Sequence, residues 1–260
     1  MDLGFHPRAL PATRVVPLAA NETHIWLARL GLSSPHRDAD LGTLSADEQE
    51  RARSMADGRA TQFVAGRALL RRLLAAYVPC APVQFEISCG QHGKPHLAGT
   101  PPNVNLHFNL SHSAGVAAVA IGRAPLGIDI ESLRDISDPD AIAARFFAPG
   151  ELRALRQAPA ARQQRMFFSF WTCKEAYLKA LGGGLAHGLA SFEVEIDGQG
   201  EATLLRSDGS RDPGWTLRQL ALGPNLAGAV ATRSPDCAVQ CWCLDSPRGA
   251  AAAFKALALQ

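Results

Sequence analysis

The stretch from Phe167 to Leu185, FFSFWTCKEAYLKALGGGL, constrains the fold more than any other part of this chain. Its apolar residues recur at the spacing of an α-helix that buries one face. The predicted buried face contains Phe167, Phe170, Trp171, Tyr177, Leu178 and Leu181. Lys174 lies in the middle of this face and Glu175 on its flank, and a buried charge has to be paired or bound. We expect Gly182, Gly183 and Gly184 to end the helix, since glycine adopts the left-handed conformation without steric cost.

An alternative interpretation needs no function. Glu175 and Lys179 are four residues apart and could form a solvated pair, while Lys174 extends its ammonium group to water along an apolar stem. Two of the four lysines in the chain lie in this stretch, however. That concentration favours a site.

Composition excludes several classes of protein. The chain has 260 residues, of which 47% are hydrophobic, and this suits one large domain or two of modest size. Its formal charge of +2 is too small for a nucleic-acid surface, and no apolar run is long enough to span a membrane. Six scattered cysteines indicate reduced thiols. We therefore expect a soluble cytoplasmic protein that binds neither nucleic acid nor membrane. Cys237, Cys241 and Cys243 are interpreted as part of a core strand rather than a metal site.

The predicted elements occur twice in the same order. The first set is a strand at His24–Leu32, a capped helix from Ser45 to about Ala56, a long helix at Arg59–Tyr77, a strand at Val83–Cys89 and two strands within Val104–Gly122 that are broken at Ser111–Ser113. The second set is the strand LGIDIE, a helix at Pro149–Gln157, the long helix, and the strands FEVEI, WTLRQLAL and LAGAVATR. Phe63 and Phe170 are 107 residues apart, and so are Phe85 and Phe192.

This pattern predicts an α+β fold with a pseudo-twofold repeat of two similar lobes, each a long helix packed on a small antiparallel sheet. The predicted lobes are residues 1–125 and 126–260, with a cleft between them as the expected ligand site. The Ala-rich end, GAAAFKALAL, predicts a further helix.

Two carboxylates are expected to lie side by side in GIDIE. Asp129 and Glu131 are two residues apart, so on a strand both project from one face while Ile128 and Ile130 pack on the other. Repulsion between them favours a hard cation such as Mg²⁺, and Glu175 would complete a three-carboxylate site. Without Glu175, a strand with acidic residues facing water is an equally good interpretation.

A basic set of residues suggests a phosphate site: Lys94, His112, Lys174 and Lys179. Lys94 lies in a GKP turn that lacks the pattern of a P-loop, and a surface turn is the default interpretation. His112 could equally be a structural histidine. Ser111 lacks the GxSxG frame of a hydrolase nucleophile.

The segments GKPHL, FNLSHS, LGIDIE, ARFF and FWTCKEAYLKALGGGL, in this order, are similar to the 4′-phosphopantetheinyl transferase superfamily, of the two-lobed surfactin-synthetase-activating type. The similarity covers about Gln91 to Phe192. It implies a monomer that transfers the phosphopantetheine arm of coenzyme A to a serine of an acyl or peptidyl carrier protein and releases adenosine 3′,5′-bisphosphate. In this interpretation the N-terminal lobe contacts coenzyme A, and the C-terminal lobe carries the metal ligands.

The resemblance also implies residue roles. By motif position, Mg²⁺ would be held by Asp129, Glu131 and Glu175. The residues implied to contact coenzyme A are Lys94, Ser111, His112, Lys174 and Lys179. Those implied in catalysis are Glu175, Lys179 and Asp129, with Glu175 acting as the base either directly or through a metal-bound water.

The chain departs from the family in ERARSMADGRATQFVAGR, where relatives often carry lysine to grip the 3′-phosphate and this chain has none. Arg51, Arg53, Arg59 or Arg67 would have to substitute. Two other functions fit the same residues: a metal-dependent pyrophosphatase-like hydrolase, and a carrier- or nucleotide-binding module without catalysis.

Overall fold

A computed structural model describes residues 17–30, 37–98, 105–183, 188–197, 201–205 and 209–244. The helices within them are α1 (Arg37–Leu41), α2 (Ala46–Arg53), α3 (Asp57–Ala75), α4 (Pro139–Phe146), α5 (Pro149–Gln157) and α6 (Ala160–Leu181). The strands are β1 (Glu22–Arg29), β2 (Glu86–Cys89), β3 (Pro95–Ala98), β4 (His107–Ser113), β5 (Val116–Gly122), β6 (Leu126–Ser132), β7 (Glu193–Ile196), β8 (Ala202–Leu205), β9 (Thr216–Gln219), β10 (Leu226–Thr232) and β11 (Ala238–Leu244). Gly184 and the predicted C-terminal helix lie outside the described residues.

Two sheets form the frame of the molecule. The first has the strand order β11-β1-β5-β4 and the second has the order β6-β10-β9, while β2–β3 and β7–β8 form two separate hairpins. All pairings are antiparallel except that of β1 with β11. The mixed α+β class is therefore confirmed.

The order of elements in the first half of the chain recurs in the second. In each half a long helix follows the first strand along the chain, and a hairpin follows the helix. In space, the first strand of each half lies at one end of a row of three strands, which is β1-β5-β4 in the first half and β6-β10-β9 in the second. A pseudo-twofold relation between the halves stays a prediction, as does the division into 1–125 and 126–260. The predicted second lobe includes β11, which the structure places in the first sheet, where Trp242 stacks on Trp26 of β1.

The core has three main parts because each sheet is covered on both faces. Alternate residues of β1 and β5, such as Trp26 and Val119, pack with leucines of α3. The opposite faces of the two sheets pack on each other through residues such as Ile25 and Ile128. α6 packs on the far side of the second sheet with the phenylalanines from its N-terminal half. The resulting layers are α3, first sheet, second sheet and α6.

Gly127 of β6 lets α6 approach the second sheet closely. A Cβ atom added at this glycine would lie 2.2 Å from the carbonyl oxygen of Ala176 and 2.4 Å from the amide nitrogen of Ala180. No side chain fits that space. The close approach brings the acidic residues that follow Gly127 next to the charged residues of α6.

Several predicted boundaries need correction. Ser111–Ser113 does not interrupt a strand, since β4 runs through it and turns at Ala114 and Gly115, which both have positive φ. The strand predicted at Val83–Cys89 begins only at Glu86. Leu181 is 40% exposed rather than buried, because it lies in the last turn of α6. The capping box at Ser45, the helix Pro149–Gln157 and the helix end at Gly182, with φ of 74°, are confirmed.

Candidate active site

β4 and β6 meet along a line of side-chain to main-chain hydrogen bonds, which we call the polar seam. Three side chains of β4, spaced by two residues, accept hydrogen bonds from three main-chain N–H groups of β6. The bonds run from Ile128 to Asn109 (2.9 Å), from Ile130 to Ser111 (3.3 Å) and from Ser132 to Ser113 (2.9 Å). The polar seam joins the edges of the two sheets and fixes where the acidic residues of β6 lie.

Asp129 projects from β6 toward α6 and is almost fully buried. Its Oδ1 accepts hydrogen bonds from Lys179 Nζ at 2.6 Å and from Ser111 Oγ at 2.9 Å. Its Oδ2 is buried and has no hydrogen-bond partner among the described residues. Burial raises the pKa of Asp129, and attraction to the Lys179 ammonium opposes that rise.

Ser111 uses all the hydrogen bonds that a hydroxyl can make. It donates to Asp129 and accepts from the main chain of Ile130 and from Lys179 Nζ at 3.3 Å. The structure thus places Ser111 beneath Asp129 and Lys179 as a buried support. Its predicted contact with coenzyme A stays a prediction.

Glu131 is the next acidic residue along the same face of β6. Its Oε2 accepts a hydrogen bond from Ser113 Oγ at 3.1 Å and one from Arg134 at 3.0 Å. Arg134 is 59% exposed, so its attraction to Glu131 is largely screened by solvent. The half-buried Ser113 of the polar seam and a surface arginine thus hold this carboxylate from two sides.

Glu175 faces these two acidic residues from α6. Its carboxylate has no hydrogen bond or ion pair within the described part of the chain. Burial raises the pKa of Glu175, and repulsion from Asp129 adds to the rise. Glu175 is therefore a comparatively basic carboxylate.

Two adjoining cavities open at this place. One, of about 380 Å³, is lined by His112, Asp129, Glu131, Trp171, Glu175 and Lys179 among others. The second, of about 270 Å³, lies beside the GKP turn and is lined by Lys94 and Gly182. Leu110, Glu175 and Lys179 border both cavities. Of the eight residues assigned above to the metal, coenzyme A or catalysis, the structure brings all but Lys174 to these two cavities.

Lys94 reaches across from the β2–β3 hairpin to the second half of the chain. Its ammonium donates to the main-chain carbonyls of Leu126 and Ala180, each at 2.9 Å. The Ala180 carbonyl belongs to the C-terminal turn of α6, where the helix dipole favours a cation. Burial lowers the pKa of Lys94 to about 8.

Lys174 is the predicted site residue that the structure places elsewhere. It is fully buried, 2.6 Å from Glu151 of α5, and donates to the carbonyl of Phe192 at 2.8 Å. The prediction that a charge at this position must be paired is confirmed, and its partner is Glu151. A lysine with no exposed surface does not contact coenzyme A in this conformation, because its ammonium points into the core.

The described residues contain no group of three His, Cys, Asp or Glu side chains close enough together to hold a metal ion as they stand. The chemistry of the donors nevertheless suits a hard cation. Three carboxylates line one cavity, and Asp129 Oδ2 is buried with no partner among the residues that the structure describes. A cation there would relieve the repulsion between the carboxylates.

The predicted phosphate-binding arginines lie on α2 and α3. The guanidinium groups of Arg51 and Arg67 lie over the ring of Phe63, at 5.3 Å and 5.6 Å from its centroid. Arg53 pairs with Glu50 of its own helix. Neither cavity described above is lined by these arginines or by Arg59.

Sequence reasoning missed Ser113, Asn109 and Glu151. The alternation of polar residues in FNLSHS carried a signal for the first two, since residues 109, 111 and 113 share one side of a strand. Glu151 gave no such signal, because it is 23 residues from Lys174 and its burial depends on the packing of α5.

These features define a mixed α+β protein whose two sheets meet at a cavity lined by both carboxylates and basic side chains. The family model for the 4′-phosphopantetheinyl transferase superfamily matches residues 125–232. The 4′-phosphopantetheinyl transferase HetI of a Nostoc species is 38% identical over 226 residues, which cover 85% of this chain and 92% of that protein. The chain belongs to the 4′-phosphopantetheinyl transferase superfamily.

Other relatives carry the same description. The 4′-phosphopantetheinyl transferase psf-1 of Bacillus pumilus is 36% identical and covers 72% of this chain and 76% of its own. Sfp of Bacillus subtilis is 28% identical, and the match covers 79% of this chain and 89% of Sfp. A holo-(acyl-carrier-protein) synthase from Bacillus anthracis in complex with CoA has 23% identity and a TM-score of 0.37, and covers 44% of this chain and 97% of its own.

No helix within the described ranges is both long and apolar enough to cross a membrane.

Proposed function

We propose that this chain transfers the 4′-phosphopantetheine arm of coenzyme A to a serine of an acyl or peptidyl carrier protein, releasing adenosine 3′,5′-bisphosphate. Membership of the superfamily supports the reaction class. The observation that carries the proposal is the cavity where Asp129, Glu131 and Glu175 meet Lys179. Carboxylates and an ammonium group around one space suit a pyrophosphate and its counter-cation.

Coenzyme A is proposed to lie across both cavities. Lys94 borders one cavity and His112 the other, while Lys179 borders both, so cationic or hydrogen-bonding groups are available along the length of a pyrophosphate. Lys179 is 30% exposed and can turn one N–H group toward a phosphate while it remains bonded to Asp129. Ser111 is proposed to support Lys179 and Asp129 from the buried side through its hydrogen bonds to both.

Mg²⁺ is proposed to be held by Asp129, Glu131 and Glu175. When bound, it would neutralise charge on the phosphate oxygens and on the leaving group. The buried Oδ2 of Asp129, which has no hydrogen-bond partner in the described part of the chain, supports this assignment. Lys179 would keep Asp129 ionised and oriented for that role.

Glu175 is proposed as the general base that accepts the proton of the carrier serine. In the cation-free site, burial and neighbouring negative charge raise the pKa of Glu175, which makes the carboxylate a better proton acceptor there. The same residue has no competing hydrogen bond within the described segments.

The remaining proposals concern assembly and location. The repeated order of elements supports two lobes related by a pseudo-twofold axis, with the site formed between the halves of one chain. We therefore propose a monomer that works in the cytoplasm.

The test is intact mass spectrometry of a panel of apo carrier proteins after incubation with this protein, coenzyme A and Mg²⁺, with a chelator control. A gain of one phosphopantetheine that the chelator abolishes supports the proposal. Consumption of coenzyme A without a gain on any carrier would favour the hydrolase instead. Neither gain nor consumption would favour a binding module.

A further inference from the structure

Ser113 has the same relation to Glu131 as Ser111 has to Asp129. Each serine accepts a hydrogen bond from the main-chain N–H of one β6 residue and donates one to the carboxylate of the residue before it. For Ser113 the two distances are 2.9 Å to the nitrogen of Ser132 and 3.1 Å to Oε2 of Glu131. The serines of the polar seam therefore bond to both acidic side chains of β6 from the β4 side.

The bond from the main-chain N–H of Ser132 leaves the O–H of Ser113 free to donate to Glu131. A hydroxyl has one donor and two acceptor sites, so a serine oxygen fixed against a strand N–H has its O–H left to aim at a neighbour. The hydroxyl oxygen of Ser132 also lies 3.5 Å from Ser113 Oγ, which is longer and weaker than the bond to Glu131. The carboxylate of Glu131 is the preferred acceptor.

Asn109 provides an internal comparison. It makes the third main-chain bond of the polar seam, to Ile128, but the preceding residue of β6 is Gly127 and carries no carboxylate. Asn109 and Ser113 thus contribute alike to joining β4 and β6. Of these two residues, only Ser113 also holds an acidic side chain.

We propose that Ser113 is a positioning residue that holds the carboxylate of Glu131 in the orientation that binds a divalent cation. This inference rests on the metal site of the proposed function. Partners behind metal-binding carboxylates fix the ligand's orientation, and their loss lowers metal affinity. Arg134 contacts the same oxygen, but it is more exposed than the half-buried Ser113 and is solvated, so it does not replace the serine hydroxyl.

The experiment measures binding of Mn²⁺ alone, by the decrease in the electron paramagnetic resonance signal of the free ion. Ser113→Ala is expected to weaken Mn²⁺ binding about 10-fold or more. Ser113→Thr keeps the hydroxyl and is expected to restore affinity. Asn109→Ala removes one bond of the polar seam without freeing a carboxylate, and we expect its affinity to stay close to that of the wild type.

The inference is overturned if Ser113→Ala binds Mn²⁺ as tightly as the wild type, if Asn109→Ala weakens binding equally, or if the wild type binds no Mn²⁺. Circular dichroism checks folding, and Ser113→Cys, which keeps the volume but donates weakly, replaces the alanine variant if that variant unfolds. The binding assay uses neither coenzyme A nor carrier protein. A failure to transfer the arm would therefore count against the proposed function and leave this comparison intact.

Discussion

The ammonium of Lys174 lies 2.6 Å from the carboxylate of Glu151, and neither side chain has any exposed surface. Glu151 also accepts a hydrogen bond from the main chain of Val194, and Lys174 donates to that of Phe192. Burial raises the pKa of Glu151 and lowers the pKa of Lys174, and the attraction between the two charges opposes both shifts. The pair ties α6 to α5 and β7, and so sets the position from which Glu175 and Lys179 reach the cavity.

Removing one member of this pair should be costly. Lys174→Met leaves the Glu151 carboxylate buried without its cation, and we expect a loss of about 3 kcal/mol or more in the free energy of unfolding, measured with urea. Adding Glu151→Gln removes the stranded charge, so the double variant should lose less than the sum of the single variants. Arg218→Gln is the control, because its pair with Glu201 is largely exposed and its loss should cost less than about 1 kcal/mol. Equal effects of Lys174→Met and Arg218→Gln would contradict the prediction.

Gly127→Ala should separate α6 from the second sheet. The new methyl group would overlap the main chain at Ala176 and Ala180, and we expect a loss of about 1–3 kcal/mol in stability. Activity should fall more than stability alone explains, since Asp129 would move relative to Lys179. Gly58→Ala is the control, because nothing lies within 4 Å of its added Cβ and alanine favours the helix. A variant as stable and active as the wild type would show that the close approach is not required.

Glu175→Gln should nearly abolish turnover while the fold stays intact. Loss of a general base lowers the rate by about 100-fold or more, and the amide also removes a proposed cation ligand. Turnover is measured by the mass gain of the carrier, and folding by circular dichroism. Glu195→Gln, an exposed site on β7, is the matched control. Unchanged turnover would remove Glu175 from the mechanism.

His112→Ala should weaken the binding of coenzyme A more than that of the carrier protein. His112 is exposed at the border of the larger cavity, and a lost hydrogen bond to a charged phosphate corresponds to about 10-fold in affinity. Calorimetric titration with each partner separates the two effects. His96→Ala, an exposed histidine on β3, should change neither. A larger loss for the carrier would contradict the assignment.

Lys94 should make coenzyme A binding depend on pH. Because burial lowers its pKa to about 8, Lys94 is charged below that pH and increasingly neutral above it. The KM for coenzyme A should therefore rise as the pH increases through 8 and beyond. Lys94→Arg keeps its charge to much higher pH and should remove this rise, provided that KM is measured for both proteins over the same range. The same pH profile in both proteins would exclude Lys94 as the titrating group.

The sequence predicted the elements whose signals are local. The capping box at Ser45, the helix stop at Gly182 and the adjacent acids of GIDIE follow from spacing and from backbone preference alone. The long-range pairs were not predictable in this way. Lys174 was expected to contact coenzyme A from its position in the family motif, and its partner Glu151 emerges only when α5 packs on α6.

The polar seam shows the same limit. Whether β4 lies beside β6 is decided by how the two sheets meet, and the sequence of either strand does not record that. Once the strands are adjacent, the spacing of Asn109, Ser111 and Ser113 explains the three main-chain bonds of the polar seam. Local pattern thus supplied the donors and acceptors, and tertiary packing selected their partners.

The parallel pairing of β1 with β11 affects the order in which the chain can fold during synthesis. Residues 22–29 leave the ribosome early, yet one edge of their strand stays unpaired until residues 238–244 emerge. Until then Trp26 lacks the stacking partner Trp242, and an open strand edge can pair with another chain. A nascent chain that stalls near the middle would therefore expose one edge of the first sheet to other chains.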